Sequence, residues 1–325
     1  MPRALVSDRI VTVFGGSGFL GRHIIRSLAE RGWRVRNACR RPDLAQHLQP
    51  LGSVGQIVSV QANLRNEASV RAAVEGADAV VNLVAVLHES GRQTFGELHV
   101  EGARRVAEAA SAAGVGQLVH MSALGADANS PSVYGRTKAE GEAAVRRAFP
   151  DAVILRPSVV FGPEDNFLNM FASLARFTPV LPLIGGGETK FQPVFAGDVG
   201  EAVAAALEGR AVRAATYELG GPDILSFRQI LEYILKTTGR KRLLVPVPFA
   251  VASMQAGLLQ LLPSPLLTKD QVELLKSDNV VSASAIQQGR VLEALGVRAT
   301  ALETVVPSYL YRFRKAGQFT DIHAV

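Results

Sequence analysis

Cysteine is almost missing from this 325-residue chain, with Cys39 standing alone. A single thiol excludes a disulfide framework and any zinc or iron–sulfur site built from several cysteines. Aromatic residues are scarce too, at 6%, which leaves few platforms on which bases could stack. Lys plus Arg (35) exceeds Asp plus Glu (29) by a net +6, but the basic segments carry no aromatic interleaving, zinc spacing or recognition-helix pattern. Nucleic acid is therefore excluded as a partner. Only one long stretch lacks charge, Leu243–Thr268, and prolines at 246, 248, 263 and 265 confine its helix to about Phe249–Leu262. These 14 residues (249–262) fall short of the roughly 20 needed to span a bilayer. A strand-like run beginning near Ile10 leaves no room for a targeting segment. The expectation is a soluble, cytoplasmic chain with no metal site, able to attach to a surface.

Apolar residues make up 48% of the chain, ample for a core. Mainly apolar, non-alternating runs at Val11–Phe14, Val35–Cys39, Ile57–Val60, Ala79–Val84, Leu118–Met121 and Val153–Leu155 read as strands covered on both faces. Helix-like segments at Leu20–Arg31, Glu97–Ala113 and Tyr134–Ala148 alternate with them. The alternation predicts an α/β fold, a doubly wound parallel sheet with right-handed crossovers. After Pro157 the pattern loosens, although Val199–Leu207 and Tyr217–Leu219 read as a helix and a strand returning to the sheet. The predicted division is a dinucleotide-binding domain over 8–225 and a mainly helical C-terminal cap over 226–325, packed on the first.

The strongest local signal is Gly15-Gly16-Ser17-Gly18-Phe19-Leu20-Gly21, directly after the first strand and opening a helix. It satisfies Gly-x-Gly-x-x-Gly, the glycines serving the tight turn, the close approach of a pyrophosphate and helix–strand contact. The following helix N-terminus offers free N–H groups to phosphate. The second strand ends Asn37-Ala38-Cys39-Arg40-Arg41 with no carboxylate before Asp43. A carboxylate there would accept from a ribose 2′-hydroxyl, whereas Arg40, and next Arg41, would grip a 2′-phosphate. NADP(H) is expected in preference to NAD(H). Asn63-Leu64 after the third strand lies where adenine would sit, and Leu83-Val84-Ala85 after the fourth lies where a nicotinamide ribose would pass.

Tyr134 and Lys138 are one helical turn apart. A neighbouring ammonium favours the phenolate, fitting Tyr134 as proton donor or acceptor in hydride transfer, with Ser122 at the end of the fifth strand bonding a carbonyl.

With Leu155-Arg-Pro-Ser-Val-Val-Phe-Gly162-Pro163, these motifs resemble the extended and atypical short-chain dehydrogenase/reductase superfamily over about residues 8–220. The resemblance implies a Rossmann fold, a nicotinamide cofactor, Tyr134 and Lys138 as catalytic pair, and Pro157–Val160 near the nicotinamide. Phe191-Gln192-Pro193-Val194 and Leu267–Val281, which holds Asp270-Gln271-Val272 and Asp278-Asn279-Val280, are similar to one branch. That branch is the NAD(P)H-binding accessory subunit of respiratory complex I and its bacterial relatives. It implies tightly held NADPH, structural in that subunit, beside a membrane and quinone chemistry.

The chain departs from the wider superfamily at His99-Val100-Glu101-Gly102, where Asn-Val-x-Gly is common. His99 reads as a helix-surface histidine. Ser122 matches the family's serine in one register and Ala123 in the other. Only eleven residues (123–133) separate Ser122 from Tyr134, short for a nucleotide-sugar epimerase or dehydratase. Lys236, Arg240, Lys241 and Arg242 beside the uncharged stretch suit an anionic membrane surface, or equally a helix C-terminus followed by buried chain. Three functions follow: a complex I subunit-like NADPH-binding protein, an active NADP-dependent oxidoreductase of quinone or lipid metabolism, and, third, the sugar-nucleotide enzyme.

Overall fold

The computed structural model describes residues 5–260, 262 and 265–319. Leu261 and Pro263, in the uncharged stretch, and the last six residues of the predicted cap lie outside the described residues. Contacts gather the chain into two units. One holds Met1–Pro157, Ala196–Leu219 and Ser282–Arg298; the other holds Ser158–Phe195, Gly220–Val281 and Ala299–Val325. The chain passes between them repeatedly instead of once at 225/226.

In the first unit strand and helix alternate as the sequence predicts. The order runs β1 Ile10–Phe14, α1 Phe19–Glu30, β2 Arg34–Cys39, β3 Ile57–Gln61, α2 Glu67–Val74 and β4 Ala79–Asn82. A π-helical turn, Gly96–Glu101, leads into α3 Gly102–Ala112, followed by β5 Gln117–Met121, α4 Val133–Ala148 and β6 Val153–Pro157. Phe14, Ala38, Val80 and Leu118 from four strands pack with Val70, Val106 and Val145 from α2, α3 and α4.

The second unit carries β7 Val160–Phe161, α5 Phe167–Phe177, β8 Val180–Ile184, β9 Lys190–Phe191 and β10 Val194–Phe195. The chain then returns to the first unit with α6 Ala196–Leu207 and β11 Thr216–Leu219. The sheet of that unit is seven-stranded and parallel throughout, in the order β11-β6-β5-β4-β1-β2-β3. Strand order reverses between β1 and β4, and ligands of open parallel sheets bind outside the carboxyl ends at such a point. The helix α6 is pressed onto α1. A methyl on Gly200 would lie 2.9 Å from the His23 carbonyl, and Arg31 grips Glu201 with two guanidinium nitrogens at 3.1 and 2.5 Å.

The rest of the second unit holds β12 Leu225–Ser226, α7 Phe227–Thr238, β13 Leu243–Val247, α8 Phe249–Leu259 and α9 Lys269–Leu274. Two-stranded pairings join β7 to β10, β8 to β13 and β9 to β12. A capping box from Ser226 and Gln229 starts α7, and Gly239, left-handed at φ 61°, ends it. Phe167, Phe171, Phe191 and Phe227 form a mutually packed aromatic group beside Leu168, Leu181 and Ile230.

Candidate functional site

The glycine-rich turn gives each glycine a separate duty. Gly15 adopts φ +82°, a left-handed conformation that disfavours side chains. A methyl on Gly16 would meet Asn37 Oδ1 and Ile25 Cδ1 at 2.6 Å, and one on Gly21 would meet Gly16 Cα at 2.5 Å. Gly18 differs: it is extended, and its nearest neighbour would be the Gly15 carbonyl at 3.4 Å. Gly18 is also the N-cap of α1. It supplies no side-chain cap, and no acidic residue lies in the first turn. Beyond Ser17, the amides of Phe19, Leu20 and Gly21 begin a 12-residue helix, a favourable place for an anion.

Other expected residues of the first unit lie along the same carboxyl edge. Leu83 N–H bonds the Phe14 carbonyl at 3.0 Å, and Val84 lies beside Gly15, so the chain from Leu83 to Ala85 backs the glycine turn. Arg40 and Arg41 follow β2 and are exposed, with the Arg40 guanidinium donating to Gln93 Oε1 at 2.7 Å. Asn63 follows β3, its Oδ1 accepting from the Arg65 amide at 3.1 Å. The Leu64 side chain is in the core, and its carbonyl accepts from Arg105. Pro157 ends β6 and accepts from the Leu124 amide at 3.0 Å. Val160 begins β7 and belongs to the second unit.

Ser122, just past β5, is buried, and its Oγ has no hydrogen-bond partner. A buried hydroxyl in that state suits hydrogen bonding to a polar atom of a ligand. Lys138 is 2% exposed and donates from Nζ to the Met121 carbonyl at 2.7 Å. Burial lowers its pKa to about 8, against the raising influence of Glu142. The Glu142 carboxylate is itself held by two nitrogens of Arg156 at 2.8 and 2.7 Å.

His99 corrects the sequence reading. It is 1% exposed, not on a helix surface, because the π-helical turn lies against α4. A methyl on Gly141 would collide with the His99 carbonyl, so glycine is what allows that approach. The His99 ring meets Tyr134 edge-on, with centroids 5.3 Å apart, and stacks on Phe95 at 5.2 Å. Burial, and next the positive Lys138, lower its pKa to about 3.

Sequence reasoning also missed Asn82 and His120. Asn82 Oδ1 accepts from the Val84 amide at 3.2 Å, which turns its NH2 toward His120 Nδ1 at 3.3 Å. His120 Nε2 is buried without a partner, and burial holds the ring neutral. A polar residue at the same parity in two apolar strands, Val80-Val81-Asn82 and Leu118-Val119-His120, was the available signal. Among the described residues no group of three or more His, Cys, Asp or Glu side chains is placed to hold a metal ion.

Motifs that stand far apart in sequence meet in the second unit. Asn279 Oδ1 accepts from Ser158 Oγ at 2.7 Å and from the Val159 amide at 3.1 Å. Gln192 Oε1 accepts from the Val281 amide at 3.0 Å, while its Nε2 donates to the Gly221 carbonyl. The stretch 267–281 thus fastens residues 158–159 and 192.

Comparison with known proteins agrees with this architecture. The family model described as "NAD dependent epimerase/dehydratase family" matches residues 11–220. NADH dehydrogenase (ubiquinone) 1 alpha subcomplex subunit 9, mitochondrial, of Arabidopsis thaliana is 34% identical over 327 residues, covering 97% of this chain and 80% of that protein. The protein of the same name from Rattus norvegicus is 36% identical, covering 96% of this chain and 82% of its own length. An NADPH-dependent quinone oxidoreductase from Escherichia coli, solved with NADPH, shares the fold at a TM-score of 0.73 and 22% identity, covering 93% of this chain and 99% of that one. With its seven-stranded parallel sheet and glycine turn at the β1/β4 reversal, the chain belongs to the NAD-dependent epimerase/dehydratase family and, within it, is homologous to the alpha subcomplex subunit 9 proteins of mitochondrial NADH dehydrogenase.

Proposed function

We propose that the chain holds NADP(H) at the carboxyl edge of its first unit and works as a complex I accessory subunit-like protein. The observation that carries this is the uncapped N-terminus of α1, reached through glycines that leave no room for side chains. The amides of Phe19, Leu20 and Gly21 would receive the pyrophosphate, with Ser17 and Gly18 beside it and Gly15 shaping the turn. Arg40 and, next, Arg41 would take the 2′-phosphate. The chain at Asn63 and Leu64 would flank the adenine, and Leu83 and Ala85 the nicotinamide ribose. Tyr134, Lys138, Ser122, Pro157 and Val160 are assigned to the nicotinamide end. Similarity to the mitochondrial subunits over nearly the whole chain favours association with complex I or another membrane respiratory complex.

A nicotinamide, when bound, supplies a hydride. This chain's residues would place it and manage the proton: Lys138 would hold a ribose hydroxyl and favour the Tyr134 phenolate, and Ser122 Oγ would bond a carbonyl oxygen. The buried ammonium favours a second reading, an active NADP-dependent oxidoreductase acting on quinones or lipids, because a cofactor kept only for structure has no need of a Tyr–Lys pair. The shortened Ser122–Tyr134 connection counts against a sugar-nucleotide substrate.

Membrane contact is assigned to the second unit. Lys236 and Lys241 are exposed, while Arg240 and Arg242 donate to the carbonyls of Phe313 and Ala175. No carboxylate lies within 4.0 Å of these four cations among the described residues. Leu243, Met254 and Leu258 are 70%, 69% and 71% exposed. Exposed cations and apolar side chains of this kind suit a peripheral position on an anionic inner membrane. Among the described residues no helix is long and apolar enough to cross one.

Fluorescence titration with NADPH and NADH tests the cofactor. NADPH is expected to bind about tenfold more tightly, and Arg40→Ala to erase the difference. Equal affinities unaltered by Arg40→Ala would refute the 2′-phosphate assignment. Affinity purification from the native membrane separates the two readings. Recovery of complex I subunits supports the first, and a free protein that oxidises bound NADPH supports the second.

A further inference from the structure

The hydrogen bonds around His99 fix the position of its single proton. A backbone amide can only donate, and the Val86 N–H points at His99 Nε2 at 3.1 Å. That nitrogen is therefore the acceptor, and the proton of the neutral ring is on Nδ1. From Nδ1 it is donated to Thr137 Oγ1 at 3.1 Å. The Thr137 hydroxyl has one hydrogen to pass on, toward the carbonyl of Val133 at 2.9 Å or of Tyr134 at 3.1 Å. Both ring nitrogens are thereby consumed by groups that cannot take a proton onward. The ring faces are equally committed, one stacked on Phe95 and an edge meeting Tyr134.

We propose that His99 is the positioning residue of the Tyr134–Lys138 pair: a neutral imidazole with its proton on Nδ1, tying the chain after β4 to α4 and taking no part in proton transfer. This rests on reading Tyr134 and Lys138 as the pair that faces the cofactor. The groups around the ring agree with a neutral state. Lys138 is positive and buried, Tyr134 is a phenol, and His120 is held neutral by burial. The π-helical turn gives His99 its reach, because the widened turn sets its carbonyl against α4 where Gly141 has no side chain. One imidazole then links Val86, in the chain leaving β4, to the helix that bears the pair.

The test has two arms. Long-range proton–nitrogen correlation spectra of the histidine side chains, recorded from pH 5 to 8 on the whole protein, read the tautomer, with His99→Gln assigning the resonances. The expected pattern is a proton on Nδ1 and no titration over that range. A proton on Nε2, or a titration between pH 5 and 8, overturns the proposal. The second arm compares NADPH affinity in His99→Gln and His99→Leu. Glutamine can accept from Val86 and donate to Thr137, so its affinity should stay within about threefold, whereas leucine should lose tenfold or more. A leucine variant that binds as tightly as the parent also overturns it. Should the parent itself bind no NADPH, the functional reading fails and the spectra alone decide the role of His99.

Discussion

Burying the Lys138 ammonium costs free energy that its bond to the Met121 carbonyl and the nearby Glu142 offset only in part. Its pKa near 8 lies below the 10.5 of an open chain, so between these values the unfolded state carries more protons. Stability therefore rises as pH climbs through this window, and the cost, about 3 kcal/mol, is fully present at pH 7. Lys138→Met is expected to raise the urea midpoint at pH 7 while weakening NADPH binding; a lowered midpoint would contradict the accounting. His99 acts with the same sign at lower pH. Its folded pKa near 3 lies below the ordinary 6.5, so its neutral burial stabilises the protein above pH 6.5 and that contribution is lost as pH falls toward 3. In urea denaturation, the parent should lose more stability between pH 7 and 5 than His99→Gln does. Glycine substitutions separate folding from binding. Gly21→Ala forces a methyl to 2.5 Å from Gly16 and should cost about 2 kcal/mol or more, read as a lower Tm. Gly18→Ala has room and a permissive φ of −78°, so it should keep its Tm and lose about tenfold in NADPH affinity. The glycines could be read in the sequence because each sits at a required spacing. The burial of His99 could not, because a helical period does not reveal which second element covers a face.

At the level of elements, mainly apolar runs marked six of the seven strands of the sheet to within a few residues, although the edge strand β3 leaves Val58 about half exposed. Their polar interruptions, Asn82 and His120, were legible as exceptions but not as partners, because pairing depends on strand order. The predicted helix Glu97–Ala113 is a π-helical turn followed by α3. No side-chain pattern distinguishes the two, as the turn is forced by packing on α4. The branch-specific stretch 267–281 was visible as a motif, while its purpose emerged only from its bonds to Ser158, Val159 and Gln192. Asn279→Ala strands the Val159 amide, while the Ser158 hydroxyl keeps the Asn279 main-chain carbonyl, an expected loss of about 1–3 kcal/mol in chemical denaturation. A change under 0.5 kcal/mol would show that the fastening is dispensable. Asp165 does comparable work at α5, accepting from Leu168 at 2.6 Å and from the Tyr309 hydroxyl at 2.8 Å, although burial raises its pKa.

For the molecule as a whole, the +6 charge is a sum of local arrangements. Arg40 is assigned to a phosphate, and Lys236–Arg242, with the exposed Leu243, Met254 and Leu258, to a membrane surface. Sedimentation with anionic vesicles should show binding at low salt that fades at high salt and weakens when Lys236 and Lys241 become glutamine; no binding at low salt would sink the membrane assignment. The interleaving of the two units carries a further consequence, for the order in which the protein is made. The outer strand β11 is covered by residues that come more than sixty positions later, with Glu218 N–H bonded to the Arg290 carbonyl and Ser282 N–H to Glu218. Until residue 291 has left the ribosome, a growing chain presents β11 as an open sheet edge, a template for wrong pairing. Completion of the nucleotide-binding sheet is thus a late event of synthesis, and a chain cut short before residue 282 would be released with that edge bare.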